Sequence, residues 1–260
     1  MVVLAVVTVI LASGCRDDHV TLAYHPVRGT TFAYAIHVVS STTTALPDRT
    51  VRGAPDVADL TARQRVLDAD NSTTRVEVGL ARAGIGERKF VMRFDRAAQL
   101  TAVESVEGIP AEALGSLGLS EIFPASAGAP PNRPLRPGDD WLVDDRVQLA
   151  GMDAPARLTG TGRLVELGII DGHKTATVSS ATTLPLTATS TTSEGVQTLT
   201  GTQTTTITVV YDLDNGSVRH STAATTGQFD LVLGPPPGQS GAPIKGTLTV
   251  ELHSETQRTS

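Results

Sequence analysis

One cysteine, Cys15, serves a chain of 260 residues, so no disulfide can close within it. Aromatic residues amount to only 3%, and a core therefore has to be assembled from Val, Leu, Ile and Ala. Positive charge is also scarce. Against 27 Asp and Glu stand 21 Lys and Arg, a net charge of −6, with no basic stripe or tail. Nucleic acid is excluded as a partner on that ground, because neutralising a phosphate backbone takes concentrated positive charge. Beyond residue 12 no run approaches the roughly 20 apolar residues that a membrane-spanning helix needs.

Catalytic and metal-binding groupings are missing as well. His19, His25, His37, His173, His220 and His253 are scattered singly, with no HExxH spacing. No GxSxG elbow and no SxxK occurs. Asp139-Asp140 and Asp144-Asp145 are carboxylate pairs, but neighbouring strand residues point to opposite faces and cannot act together on one substrate. Asp212, Asp214 and Asn215 before Gly216 suggest a calcium loop. Such a loop needs Gly at its sixth position and Glu at its twelfth, and from Asp212 those places fall on Ser217 and Ala223. A hairpin turn is expected there instead. Gly84 to Lys89 and Thr159 to Gly162 lack the full spacing of phosphate loops, and both are expected to be turns. The sequence thus predicts a non-enzymatic protein with no catalytic residue, metal ligand or cofactor.

What the chain does contain begins at its start. Residues 2–12 are apolar apart from Thr8. At 1.5 Å per residue they span about half of a ~30 Å hydrocarbon layer, which fits the core of a signal peptide. The run ends in Leu11-Ala12-Ser13-Gly14-Cys15 and gives way to Arg16-Asp17-Asp18-His19. This segment resembles a bacterial lipobox, although Ala12 stands where Leu is commoner and no Lys or Arg precedes the run. The resemblance implies cleavage between Gly14 and Cys15, and diacylglycerol on the Cys15 sulfur. Two or three acyl chains such as palmitate, at about 0.8 kcal/mol per buried CH₂, anchor stably.

Past residue 20 the hydrophobic period is two, the signature of strands. Val76, Val78 and Leu80 alternate with Glu77 and Gly79; Phe90, Met92 and Phe94 alternate likewise; Ile207, Val209 and Tyr211 share a face. Asp171-Gly172 and Asp214-Asn215-Gly216 lie between strand-like runs and predict tight hairpins. Thr interleaved with Val, as in Thr204 to Val210, adds β-branched weight. Pro110 with the alanines and leucines after it predicts one short helix near 110–119. The expected fold is mainly β: a large antiparallel sheet of about ten to twelve strands, either a curled half-barrel or two packed sheets.

The organisation expected is a signal peptide over 1–14 and a lipidated tether over 15–20. A first β-rich half covers 21–123, a Pro/Gly connector 124–138, a second half 139–256, and a tail 257–260. The tether and the residues after Ser254 are expected to fray. The halves look alike: His25 to Phe32 and Arg133 to Trp141 each run from a Pro/Gly turn into an aromatic strand start, and Phe94-Asp95 and Tyr211-Asp212 each close a strand. Trp141 is expected to pack as a core anchor with Gly138 supplying the turn.

Pro134-Leu135-Arg136-Pro137-Gly138-Asp139-Asp140-Trp141, together with the lipobox and the Tyr211 to Gly216 hairpin, resembles a recurring element of uncharacterised bacterial lipoproteins. That resemblance implies a cell-envelope domain on the extracytoplasmic side of a membrane and carries no catalytic residue across. The expected partners are the membrane, through lipid on Cys15, and either an envelope protein or a hydrophobic ligand. The two functions weighed are a structural or protein-interaction domain and a carrier for a lipid.

Overall fold

The alternating pattern becomes extended chain throughout. The computed structural model describes residues 19–70, 72–84, 86–96, 100–106, 130–147, 156–192, 195–236 and 238–260, and every regular element among them is a β-strand. The first half supplies β1 (Thr31–Ala45), β2 (Thr50–Arg52), β3 (Asp56–Ala69), β4 (Thr73–Arg82), β5 (Gly86–Asp95) and β6 (Leu100–Val106). The second supplies β7 (Asp140–Val147), β8 (Ala156–Ile170), β9 (His173–Thr192), β10 (Gly195–Asp212), β11 (Val218–Gly234) and β12 (Ile244–Arg258). The helix expected near 110–119 lies outside the described residues.

All pairings are antiparallel and form one open sheet, in the order β6-β5-β4-β3-β1-β12-β11-β10-β9-β8-β7, with the short β2 added beside β1. The alternative of two packed sheets is thereby set aside. Each half is a meander, and the halves meet where the first strand pairs with the last, Tyr34 opposite Arg258 through Ala45 opposite Thr247. The similar strand starts of the two halves do occur, at β1 and β7. They occupy different places, however: β1 is central and β7 is an edge.

One face of the sheet is apolar. Ile36, Val66, Val76, Val78, Met92, Leu164, Val178 and Val209 are buried there in one cluster. The N-terminal segment closes it as a strap across one end of the sheet, its base. Val20 and Leu135 exchange backbone bonds of 2.9 and 2.8 Å, the Tyr24 amide donates to the Arg96 carbonyl, and the His25 amide donates to that of Asn215. Leu22 and Tyr24 are buried beneath the strap, the Tyr24 ring edge-on to Phe94 at 6.0 Å. Val20 is therefore tied down where fraying was expected. The same holds at the other terminus. β12 runs to Arg258, and the Thr259 amide donates to Ala33, because pairing on both sides, with β1 and β11, holds the strand to its end.

Both predicted hairpins form. Asp171 and Gly172 take φ of 50° and 80°, as a type I′ turn requires. Gly216 takes φ of 74° and packs so tightly under the strap that a Cβ would lie 2.0 Å from the Ala23 carbonyl oxygen. Gly84 lies in the β4–β5 turn as expected, but Gly86 to Lys89 are already the start of β5, paired with β4. Thr159 to Gly162 is not a turn but the middle of β8. Its glycines answer to close approach: a Cβ on Gly160 would meet the Ala181 carbonyl oxygen at 2.1 Å, and one on Gly162 the Trp141 ring at 2.2 Å.

Trp141 is paired directly opposite Gly162 and its ring is buried over it, as the core-anchor reading required. Gly162→Ala is expected to push the indole out of its seat and cost about 1–3 kcal/mol by overpacking. Trp141 is the chain's only tryptophan, so its fluorescence reports the displacement directly. An unshifted emission maximum and an unchanged melting temperature would contradict the packing described.

Candidate functional site

The face opposite the core is polar, and register decides what gathers on it. One level across eight strands carries Asp59, His37, Glu255 and Thr222 on β3, β1, β12 and β11. It continues with Thr208, Ser179, Arg163 and Asp140 on β10, β9, β8 and β7. The adjacent level carries Val39, His253, Ala224, Thr206, Ala181 and Thr161. The middle strands present only small side chains here, while the flanking ones present His, Glu, Arg and Asp. The surface between them forms an open groove of about 750 Å³. From β1 to β7 it crosses six strand spacings, roughly 30 Å.

Ion pairs mark both ends of the groove. At one end His37 Nδ1 lies 2.7 Å from Asp59 Oδ1, and His220 Nε2 lies 3.1 Å from Glu255 Oε1. At the other, Arg163 Nε stands 3.8 Å from Asp140 Oδ1. All six side chains are substantially exposed, so each pair is worth little in stability and can exchange partners with a bound chain. Between them the groove offers hydroxyls, which both donate and accept hydrogen bonds. Two of its flanking histidines are engaged by carboxylates rather than by a serine or threonine.

A second constellation lies at the base, where β9 begins and β10 ends. His173, Asp212 and Asp214 bring one ligand atom each within 4.8 Å of one another. Asp212 is 1% exposed, and its carboxylate is already committed. Oδ2 accepts from Arg258 at 3.2 Å and from Arg219 at 3.4 Å, while Oδ1 accepts from the Asp214 amide at 3.0 Å. The Arg258 guanidinium also donates to Ser217 Oγ at 2.8 Å and lies over the Phe32 ring. Two guanidiniums neutralise the Asp212 carboxylate, and the cluster joins the last strand to the β10–β11 turn. His173 reaches it because Asp212 pairs with Thr175, a register that spacing along the chain does not reveal.

Asp139 and Asp140 point apart, Asp139 accepting from the Arg136 amide at 2.9 Å. Asp144 forms a two-pronged pair with Arg157 at 2.6 and 2.7 Å. That pairing holds the Asp144 carboxyl below its usual range, the hydrogen bonds from Arg157 contributing most. Gly14 and Cys15 lie outside the described residues. No helix among the described residues is long and apolar enough to cross a membrane. No protein-family model matches the chain, and neither does any curated protein.

Proposed function

We propose that this is a lipid-anchored protein of the bacterial cell envelope, held on the extracytoplasmic side through Cys15, whose body binds another envelope protein and catalyses no reaction. The observation that carries the binding reading is the open polar groove on the face opposite the core. An extended polypeptide matches it in length and chemistry. Its amides and carbonyls can bond the Thr and Ser hydroxyls of the middle strands, and its charged side chains can meet the ion pairs at either end. The anchor is supported by the apolar run over residues 2–12 and by the lipobox-like Leu11 to Cys15.

The test is site-specific photocrosslinking in intact host cells, with the crosslinker replacing Ala181 or Thr206. A discrete protein adduct is expected at both positions. None is expected at Thr187, which is exposed on the same face of β9 but lies beyond the groove. Equal labelling at all three positions would end the groove reading.

The carrier reading has an observation of its own, since the buried apolar cluster extends across the sheet from Phe90 on β5 to Val143 on β7. It predicts stoichiometric lipid on the protein in native mass spectra after gentle extraction. Spectra showing only the bare protein mass would dismiss it.

A further inference from the structure

We propose that the tip of the β8–β9 hairpin, Ile169 and Ile170, is a second membrane contact, seated in the headgroup layer of the bilayer that holds the Cys15 lipid. This rests on the lipid-anchor reading above. Eight large hydrophobic side chains are exposed among the described residues, and three of them, Val165 (45%), Ile169 (68%) and Ile170 (44%), fall within six residues of β8. They are exposed because β8 outruns its neighbour. The β7 pairing begins with Asp140 opposite Arg163, so no partner strand flanks β8 on that side beyond it. The hairpin still projects as a defined element: Ile169 pairs with Lys174, Ile170 pairs with His173, and the Asp171-Gly172 turn closes it.

What faces this tip follows from where the described chain begins. Val20 pairs with Leu135, the His19 ring lies against the Arg136 guanidinium, and the Gly138 amide donates to the Leu164 carbonyl. The tether therefore enters beside Leu164. Ile169 lies five residues farther along β8, about 16 Å toward the base at strand rise. Four residues separate Cys15 from His19, a reach of at most about 14 Å. With the base turned to the membrane, the tip projects farther than the tether can reach, so it meets the bilayer even when the tether is fully extended. The chemistry matches as well. Two isoleucines enter the boundary between headgroups and acyl chains, while Lys174 beside them keeps its ammonium among the lipid phosphates.

The test uses the full lipidated chain in vesicles of phosphatidylcholine and phosphatidylglycerol, some carrying a nitroxide high on the acyl chain. A bimane probe is attached through Ile170→Cys or, as a control, through Thr189→Cys, exposed toward the far end of β9. Quenching at 170 is expected to exceed that at 189 by about threefold or more. Equal quenching at the two sites would overturn the proposal. So would a probe at 170 that is shielded from aqueous iodide yet untouched by the nitroxide, since another protein surface would then cover the tip. A failure of the anchor itself is read separately, as an unacylated Cys15 by mass spectrometry and a protein that washes off the vesicles.

Discussion

Above pH 10 the protein is expected to unfold cooperatively, and the ultraviolet tyrosinate band is expected to rise with the loss of β-sheet circular dichroism, not before it. The chain has three tyrosines, Tyr24, Tyr34 and Tyr211, and all three are buried in the core. Burial pushes each phenol well above its ordinary value of 10.0. Tyr34 is raised further by Tyr24 and Asp212, and Arg258 opposes that shift. The folded state therefore keeps three protons that the unfolded state releases above pH 10. A raised folded-state value gives stability that is complete below the unfolded value and is lost as pH rises toward the folded one. Each tyrosine contributes about 1.4 kcal/mol per pH unit, so the three together remove about 4. One or two units of pH then consume much of a typical stability of about 5–15 kcal/mol. Replacing all three with Phe should flatten this alkaline slope. A tyrosinate band with an ordinary midpoint and an intact sheet would show that the rings are not enclosed as described.

The second large effect is expected at Asp212. Asp212→Ala leaves Arg258 and Arg219, whose side chains are only 14% and 15% exposed, without their shared counter-ion, Arg219 keeping only its exposed partner Asp171 at 3.1 Å. Removing one member of a buried ionic network costs about 3–5 kcal/mol. For a body of this size that lowers the melting temperature by about 10 °C, at 2–4 °C per kcal/mol. Asp214→Ala is the control, since its carboxylate is 66% exposed and an exposed partner of this kind contributes less than about 1 kcal/mol. Thermal unfolding of the two variants separates the roles; equal shifts would mean that Asp212 is not the hub of the network. The end of β12 should stay in place in both variants, because backbone pairing with β1 and β11 holds it.

With the β8–β9 tip on the bilayer, the long strands would lead away from it. β9 alone has 20 residues, roughly 65 Å of extended chain. The polar groove crosses these strands partway along and would face laterally, within reach of an envelope partner.

β2, β3 and β6 were not legible in the sequence, whereas the β class, the alternating runs of β4, β5, β10 and β12, and the hairpins at Asp171-Gly172 and Asp214 to Gly216 were. Each depends on local properties: side-chain alternation at period two, the β-branched preference for a pleated surface, and the few residues that accept positive φ. Thr159 to Gly162 was misread because a glycine pair is locally ambiguous. Whether it turns or lies flat depends on a tryptophan ring and a carbonyl from neighbouring strands. The candidate groove was invisible for the same reason. His37 stands beside Glu255, 218 residues away, only because β1 pairs with β12 in one register, and no local pattern encodes that register. Likewise Asp212 looked like one acid in a turn until β9, β11 and β12 closed around it. The sequence by itself determined the β class and the tightest reversals, since those preferences act over a few residues. The order of strands, and with it which charges are buried and which small side chains line up, was decided only by the tertiary structure, through packing between residues far apart in the chain.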